Sequence, residues 1–253
     1  MTNVCFAGIT GWTAPPIIRA IDESEDLTLV GGVSRSSAGD GVHASVAEAL
    51  AAARVDVLVD YTSAEAVRDN VWTAVDAGVH VVIGSSGLTT EDYDELDALA
   101  RHRGVGVIAA GNFSVMAAVL RRSALLAAQH LDHWEILDYA GAAKPDVPSG
   151  TARELAEGLA QVRRPEPAVP LTDLHGPVEA RGADVAGTRV HSVRLPSFVV
   201  TTEIVFGGAG ERLVMRHDPG EGPEPYAEGT LLAIRRVAER AGVRRGLDSL
   251  LFD

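Results

Sequence analysis

The feature that most constrains this sequence is the regular alternation of short apolar segments with helix-like segments through its first half. The apolar segments are rich in β-branched residues, as buried strands are. The helix-like segments place apolar residues near the 3.6-residue period of an amphipathic helix. This alternation predicts an α/β domain in which helices cover both faces of a parallel sheet. Predicted strands cover residues 2–7, 27–33, 55–61, 80–83 and 105–109, and predicted helices cover residues 14–23, 44–53, 64–77 and 91–103.

A change of pattern near residue 112 predicts a second domain, of the α+β type. Its strands are rich in β-branched residues and separated by turns that contain Gly and Pro, which favours a mostly antiparallel sheet. A last amphipathic helix, residues 226–241, could return to cover the first sheet. We therefore expect residues 1–112 plus 226–253 to form one domain and residues 113–225 the other. In the second half, helices are predicted over residues 115–130 and 151–162, and strands over residues 134–139, 188–195, 198–206 and 212–217.

The composition excludes several classes of function. The formal net charge of −13 disfavours non-specific binding to nucleic acid or to an anionic membrane, because both require a basic surface. No segment approaches the roughly 18 uninterrupted apolar residues that cross a bilayer, and the first residues lack a signal-peptide pattern. The single cysteine, Cys5, lies in the first predicted strand, so no internal disulfide can form and a buried thiol is expected. These observations favour a cytoplasmic protein with a small-molecule partner. No metal site is predicted.

The first predicted strand runs directly into a glycine-containing turn, residues 8–14, that opens the first helix. Glycines there let the backbone approach a pyrophosphate, and the helix N-terminus supplies N–H groups and the positive end of the helix dipole. A purely structural tight turn is the alternative, but the position between the first strand and the first helix favours a Rossmann-type, doubly wound cofactor domain. The predicted cofactor contacts in this turn are Gly8, Thr10, Gly11, Trp12 and Thr13.

The second predicted strand ends at a polar segment, where NAD-binding domains place an acidic residue on the ribose. Here the chain reads Ser34, Arg35 and Ser36. An Arg flanked by hydroxyl groups suits a 2′-phosphate, so NADPH is favoured as the cofactor, with NADH as the alternative. A polar loop with one solvated Arg is also compatible with the sequence. Turns that follow the later strands are expected to line the nicotinamide half of the cofactor, and these contacts are Gly84, Ser85, Ser86, Ala110, Asn112 and Phe113.

Lys144 is the only lysine among 22 Lys and Arg residues. Arg can replace Lys as a surface charge but cannot serve as a proton donor, so the retained amine suggests chemistry. Ser149, Gly150 and Thr151 follow on the same loop and open a predicted helix, where N–H and hydroxyl groups can hold a substrate carboxylate. An ordinary N-capped helix would account for these three residues but not for the lone lysine. The loop therefore predicts a substrate site with Lys144 as the catalytic residue.

Motifs typical of one enzyme family are spread over nearly the whole length of the chain. They are Gly8–Ala14, Asp60–Thr62, Gly84–Gly87, Asn112–Val115, Lys144–Ala152, Val190–Leu195, Gly210–Leu213 and Arg216–Asp218. In these segments the chain resembles the dihydrodipicolinate reductase (4-hydroxy-tetrahydrodipicolinate reductase) family. The resemblance implies NAD(P)H-dependent reductase activity, a last helix that rejoins the cofactor domain, and a substrate-binding and oligomerisation domain that usually forms a homotetramer through its sheet.

The chain departs from the family pattern at its imidazole side chains. The family places two histidines before the lysine, as H-H-x-x-K, and assigns the first to proton transfer and the second to substrate contact; here these positions are Ala140 and Gly141. A third familiar histidine is replaced by Thr201. Trp12 and Thr13 stand where a basic residue and Met are usual, and Met116 stands where the family usually has Gly.

These departures predict a paralogue with an altered substrate. We expect an NADPH-dependent reductase that delivers hydride to a C=N or conjugated C=C bond of a small carboxylated substrate. Lys144 would act as proton donor or electrostatic stabiliser, and Ala140 and Gly141 would line the substrate pocket. One alternative is the housekeeping reductase of lysine and diaminopimelate biosynthesis, working with Lys144 and water. A non-catalytic protein that only binds the cofactor is the other.

Overall fold

The computed structural model describes residues 1–35, 39–165 and 167–252. The chain divides into two compact units, Met1–Val115 with Pro223–Asp253 and Met116–Gly222. The boundaries at 115 and 223 lie three residues from the predicted 112 and 226. Among the described residues, no helix combines the length and the apolar character needed to cross a membrane.

Regular elements account for most of the described chain. The strands are β1 (Thr2–Ala7), β2 (Leu27–Val33), β3 (Val42–His43), β4 (Val57–Asp60), β5 (His80–Ile83), β6 (Gly106–Ala109), β7 (His133–Ala140), β8 (Ala183–Val185), β9 (Thr188–Arg194), β10 (Val200–Gly207), β11 (Arg212–His217) and β12 (Gly242–Arg245). The helices are α1 (Ala14–Asp22), α2 (Val46–Ala52), α3 (Val67–Asp76), α4 (Thr90–Arg103), α5 (Val115–Ala128), α6 (Gly150–Val162), α7 (Pro225–Arg236) and α8 (Asp248–Leu251).

The first unit is built on a parallel sheet with the strand order β12-β6-β5-β4-β1-β2-β3. The direction of winding reverses between β1 and β4, where Ala7 pairs with Asp60. In open α/β sheets, ligands bind at such a reversal, outside the carboxyl ends of the strands. The predicted Rossmann-type fold is therefore confirmed, and its expected ligand position lies beyond Ala7 and Asp60.

Helices cover both faces of this sheet. Cys5 and Ala7 of β1 pack in one core with residues of α2, α3 and α4. Phe6, which points to the other face, stacks on Tyr61 at 5.8 Å. The hydroxyl of Tyr61 lies 2.7 Å from Thr230 Oγ1 of α7, so the last helix does return to the first sheet. Cys5 is fully buried, and burial raises the pKa of its thiol to about 12.

The second unit contains a sheet with the order β11-β10-β7-β9-β8. Its neighbouring strands are antiparallel except for β7 and β9, which run parallel. Along β7, residues 134, 136, 138 and 140 are buried while 135, 137 and 139 are half-buried. The buried side packs against Leu155 and Leu159 of α6. The mostly antiparallel second sheet is thus confirmed, with one helix-covered face and one open face.

Two strands of the first sheet, β3 and β12, were not predicted from the sequence. β3 has only two residues, and β12 carries two arginines although it pairs with β6 at the sheet edge. The last helix was expected to run to residue 241 but ends at Arg236, followed by a 3₁₀ turn. Gly242, the first residue of β12, has a φ of +95°, a conformation that glycine adopts at no steric cost.

Candidate active site

The glycine turn after β1 lies at the reversal of strand order. Gly8 has a φ of +86°, and a Cβ at this position would lie 2.2 Å from the carbonyl oxygen of Tyr61. The Gly11 N–H donates to the Gly8 carbonyl at 2.8 Å, and the Gly8 N–H donates to the Val33 carbonyl at 3.0 Å. Only glycine fits at position 8, because a side chain there would collide with the loop that follows β4.

Two side chains of this turn contact neighbouring elements. Thr10 Oγ1 lies 3.1 Å from the hydroxyl of Ser34, which joins the turn to the end of β2. Trp12 is 54% exposed, and its ring meets Tyr226 edge-on, with the centroids 6.2 Å apart. Thr13 is half-buried and precedes α1. The exposed indole stands beside the region where a bound dinucleotide is expected.

The end of β2 places Ser34 and Arg35 differently. Ser34 is buried, whereas Arg35 is exposed. The neighbouring Ser63 hydroxyl and, to a smaller degree, the charge of Arg35 lower the pKa of Glu65, so the guanidinium lies within electrostatic reach of the loop after β4. Ser36, the third residue predicted here, lies outside the described residues.

Asp60, at the end of β4, organises the neighbouring loops. Its carboxylate is fully buried and accepts hydrogen bonds from Thr62 Oγ1 at 2.7 Å, Ser85 Oγ at 2.6 Å and Asn70 Nδ2 at 2.9 Å. The Thr62 N–H donates to the same carboxylate at 3.1 Å. The hydroxyl of Ser85, a predicted cofactor contact, is therefore engaged inside the protein, and Asp60 fixes the turn that carries it.

The remaining predicted cofactor contacts lie around Tyr61. A Cβ at Gly84 would lie 2.2 Å from the ring of Tyr61, so the ring packs directly on that backbone. Phe113 is only 1% exposed and meets Tyr61 edge-on at 5.9 Å. Ala110 is also buried, while Ser86 is exposed. Asn112 Oδ1 accepts the N–H of Ser114 at 2.8 Å, ahead of α5.

Tyr61, which the sequence identifies only as part of the segment Asp60–Thr62, is central to this region. Burial raises its pKa, and the hydrogen bond with Thr230 opposes that shift. Its ring contacts Phe6 and Phe113, and its carbonyl faces Gly8. Because these neighbours are far apart in the sequence, no local pattern could assign this position.

The first unit fits a nicotinamide dinucleotide. At Gly8 the backbone lies so close to the loop after β4 that any side chain would collide with it. Together with Gly11, this leaves the backbone of the turn open to a pyrophosphate. α1 begins directly after this turn at Ala14 and presents its N-terminus there. No group of three or more metal-ligating side chains occurs within the described ranges.

In the second unit, Lys144 lies in the loop between β7 and α6. Its N–H donates to the Gly141 carbonyl at 3.0 Å. Its Nζ lies 2.9 Å from Asp146 Oδ1, and its side chain is 31% exposed. The amine is thus accessible and has a carboxylate counter-ion two residues along the chain.

Ser149 occupies the N-cap of α6, with Oγ accepting the N–H of Ala152. It is 1% exposed, its N–H donates to Asp138 Oδ2 at 2.9 Å, and its hydroxyl donates to Asp138 Oδ1 at 2.6 Å. Both donors of Ser149 are thus used inside the protein, and its direct contact with substrate stays a prediction. Gly150 and Thr151, in the first turn of α6, are half-buried.

The positions that lack histidine differ in accessibility. Ala140 is fully buried on the helix-covered face of the sheet, and substrate contact at this position stays a prediction. Gly141 is half-buried, and a Cβ there would lie 3.2 Å from the Phe198 carbonyl. Thr201 is 3% exposed and donates to Asp218 Oδ1 at 2.9 Å. Of these three, only Gly141 offers surface to a ligand.

Asp138 was missed by the sequence analysis. It is fully buried on β7 and binds Ser149, Ser192 and Arg194. Burial opposes its charged form, but the hydrogen bonds from Ser149 and Arg194 outweigh burial and lower the pKa of Asp138. The period-two pattern of β7 contained a signal, since it places an acidic residue on the same face as Trp134 and Ile136.

Comparison with known proteins identifies the family. The models for dihydrodipicolinate reductase match residues 2–113 (N-terminus) and 113–251 (C-terminus). The 4-hydroxy-tetrahydrodipicolinate reductase of Moorella thermoacetica is 37% identical over 262 residues, covering 98% of this chain and 97% of that protein. The corresponding protein of Mycolicibacterium vanbaalenii is 35% identical over 253 residues, covering 98% of both chains.

Solved structures agree with this result. Dipicolinate-bound dihydrodipicolinate reductase from Paenisporosarcina sp. TG-14 superposes with a TM-score of 0.79 at 27% identity, covering 98% of this chain and 99% of that chain. An amine dehydrogenase from Mycobacterium smegmatis, at 16% identity and a TM-score of 0.64, covers 98% of this chain and 95% of its own, and it shares the fold alone. The resemblance seen in the sequence is confirmed, and the chain belongs to the dihydrodipicolinate reductase family of NAD(P)H-dependent oxidoreductases.

Proposed function

We propose that this protein is an NADPH-dependent reductase for a small carboxylated substrate with a C=N or conjugated C=C bond, such as a cyclic imine. The observation that carries the proposal is one loop of the second unit, which presents the only lysine together with the start of α6. The Lys144 side chain is half-exposed, with Nζ beside Asp146, and Gly150 and Thr151 follow in the first helical turn. An amine next to a helix N-terminus is suited to a carboxylated substrate.

Each part of the loop has a chemical role in this proposal. Gly150 and Thr151 hold the substrate carboxylate through first-turn N–H groups and the Thr hydroxyl. Lys144 donates the proton that the reduced bond requires, or stabilises the charge that develops there. The nicotinamide, when bound, supplies the hydride. In the first unit, the turn at Gly8 and Gly11 receives the pyrophosphate, with Thr10, Trp12 and Thr13 beside it.

The same proposal assigns the NADPH preference to Arg35, because an exposed guanidinium suits a 2′-phosphate. NADH is the alternative cofactor. The other predicted contacts include three side chains that are buried or already hydrogen-bonded, those of Ser34, Ser85 and Phe113. We propose that these side chains support the cofactor site by packing and by holding its loops, without a polar contact to the cofactor. A cytoplasmic location follows from the need for reduced cofactor.

An altered substrate is proposed because the family's imidazoles are replaced at Ala140, Gly141 and Thr201. Ala140 and Thr201 are buried, so neither residue offers an exposed proton donor in place of the missing histidine. This supports a change of substrate. Housekeeping 4-hydroxy-tetrahydrodipicolinate reductase activity is the second candidate. Full-length similarity to relatives of that name favours it, as does the dipicolinate bound to the related structure.

An assay separates these two candidates. The protein and the Moorella thermoacetica relative are supplied at equal concentration with NADPH and freshly prepared 4-hydroxy-tetrahydrodipicolinate. We expect this protein to be slower by about 10²–10⁴-fold, the usual contribution of a positioned acid. Cyclic imine carboxylates are then offered as alternative substrates. A rate within a few-fold of the relative would establish the housekeeping reaction, and cofactor binding without reduction of any such substrate would favour a non-catalytic role.

The open face of the second sheet is proposed as a contact between copies of the chain. Residues 135, 137 and 139 of β7 are half-buried on this side, and Val214 of β11 is 53% exposed. Val214 pairs with Val205 of the neighbouring strand β10, so this face carries adjacent apolar side chains. We propose a homotetramer, in line with the family. Light scattering on the purified protein would give the mass, and a monomer at all concentrations would contradict the proposal.

A further inference from the structure

Asp138 joins the two halves of the loop described above. A buried carboxylate is unfavourable unless hydrogen-bond donors surround it. Asp138 has four such contacts: the Ser149 N–H at 2.9 Å, Ser149 Oγ at 2.6 Å, Ser192 Oγ at 3.0 Å and Arg194 Nη2 at 2.8 Å. Two of these partners continue to the segments that carry the proposed substrate contacts.

The first connection runs through Ser149 to α6. The two oxygens of Asp138 receive the N–H and the hydroxyl of Ser149, while Ser149 Oγ accepts the Ala152 N–H at 3.3 Å. This three-way arrangement fixes the N-cap of α6. The positions of Gly150 and Thr151, which come directly after the cap, therefore depend on Asp138.

The second connection runs through Arg194 to Lys144. Arg194 Nη2 contacts Asp138 Oδ2 at 2.8 Å and donates to the Asp146 carbonyl at 2.7 Å. Asp146 in turn holds Lys144 through Oδ1, at 2.9 Å from Nζ. Asp146 Oδ2 is enclosed and has no hydrogen-bond partner among the described residues. The position of this carboxylate therefore depends on how its backbone is held, which is the role of Arg194.

We infer that Asp138 is a positioning residue for the substrate site: through Ser149 it fixes the first turn of α6, and through Arg194 it fixes the segment that carries the amine. The inference rests on the proposed function only in treating these two segments as substrate-binding. It predicts that the two segments, residues 141–148 and 150–153, lose order together when Asp138 loses its charge.

Hydrogen exchange on the ligand-free protein tests this inference without any substrate. Ser149→Ala should speed exchange in residues 150–153, and Arg194→Gln should speed exchange in residues 141–148. Asp138→Asn should do both, by roughly tenfold or more, the effect of losing hydrogen bonds to a charged group on a local opening equilibrium. Ser192→Ala is the matched control, because it removes a hydrogen bond to the same carboxylate but belongs to neither connection. If Asp138→Asn sped exchange in only one of the two segments, or if Ser192→Ala had the same effect as Asp138→Asn, the inference would be overturned.

A double-mutant cycle covers the case in which Asp138→Asn does not fold. If both connections meet at Asp138, the effects of Ser149→Ala and Arg194→Gln on the opening free energy of each segment should be non-additive in the double variant. Additive effects would indicate two independent connections and would contradict the inference. Steady-state kinetics give a separate reading: Ser149→Ala should mainly raise KM and Arg194→Gln should mainly lower kcat. Absence of reductase activity in the wild type would count against the proposed function, while the exchange data would still decide the role of Asp138.

Discussion

At the level of single residues, each unit contains a fully buried carboxylate at or near the end of a strand, Asp60 on β4 and Asp138 on β7. Each accepts hydrogen bonds from the loop that carries predicted site residues, Ser85 in the first unit and Ser149 in the second. Neither carboxylate is placed to contact a ligand. Their common role is to orient neighbouring groups, because a buried charge imposes a fixed arrangement of donors.

Lys144→Arg distinguishes proton donation from simple attraction. Arg keeps the positive charge beside Asp146 but does not release its proton readily. We expect turnover to fall by about 10²–10⁴-fold while NADPH affinity stays unchanged. Turnover on the best substrate and cofactor titration by fluorescence provide the two measurements. A variant with nearly full rate would reduce Lys144 to an electrostatic contact.

Arg35→Gln tests cofactor choice at the same scale. Loss of a charge-assisted contact with the 2′-phosphate should weaken NADPH binding by roughly ten- to a hundredfold. NADH lacks that phosphate and serves as the internal control, so its affinity should change little. Isothermal titration with both cofactors gives the ratio. Equal losses for the two cofactors would place Arg35 elsewhere in the site.

At the level of elements, the β8–β9 hairpin contains a strained position. Val185 pairs with Thr188, so the loop has two residues, Ala186 with a φ of +52° and Gly187 with a φ of +89°. Positive φ at both positions defines a type I′ turn, which favours Asn at the first position. Ala186→Asn should therefore raise the free energy of unfolding by about 0.5–1 kcal/mol.

Urea denaturation followed by circular dichroism would measure this change as a shift of the midpoint. Ala168→Asn is the control, since Ala168 is exposed in a loop and outside the left-handed region. The control should leave the midpoint unchanged. A lower midpoint for Ala186→Asn would contradict the expected gain in stability.

What the sequence could predict at this scale follows from the range of the interactions. The glycine turn and the alternation of strands and helices depend on neighbouring residues, so the first sheet was accessible from periodicity. The contacts of Asp138 with Ser149 and Arg194 join residues 11 and 56 positions apart, and no local pattern contains them. The alternation along β7 also predicts that Ala140 is buried, whereas the family histidine at this position predicts a pocket.

At the level of the whole molecule, stability should fall with acidification near neutral pH. Burial lowers the pKa of His80 in the first unit and of His217 in the second. The Gly106 N–H donates to His80 Nδ1 at 2.8 Å, and only the neutral ring can accept it. The folded state binds these protons less readily than the unfolded chain, in which the pKa of His is about 6.5. The free energy of unfolding therefore decreases as the pH falls below that value.

Thermal unfolding at about pH 7.5 and about pH 5.5 tests this expectation in the range where His titrates. Tm should be lower at the acidic value. His80→Asn keeps an acceptor for Gly106 but takes up no proton, so its loss of Tm should be smaller. His102→Asn changes an exposed residue of α4 and serves as the control. A wild-type Tm that rises on acidification would contradict the argument.

The order of the strands has a consequence for synthesis on the ribosome. β12 completes the edge of the first sheet beside β6, and α7 packs on α1 and β5, yet both follow the entire second unit in the chain. A nascent polypeptide that has emerged only to residue 222 carries all the residues of the second unit, while its first sheet still has an unpaired edge and an uncovered apolar face. Unpaired edges invite association with other chains. The first unit is thus exposed to misassembly until residues 223–245, which contain α7 and β12, have emerged.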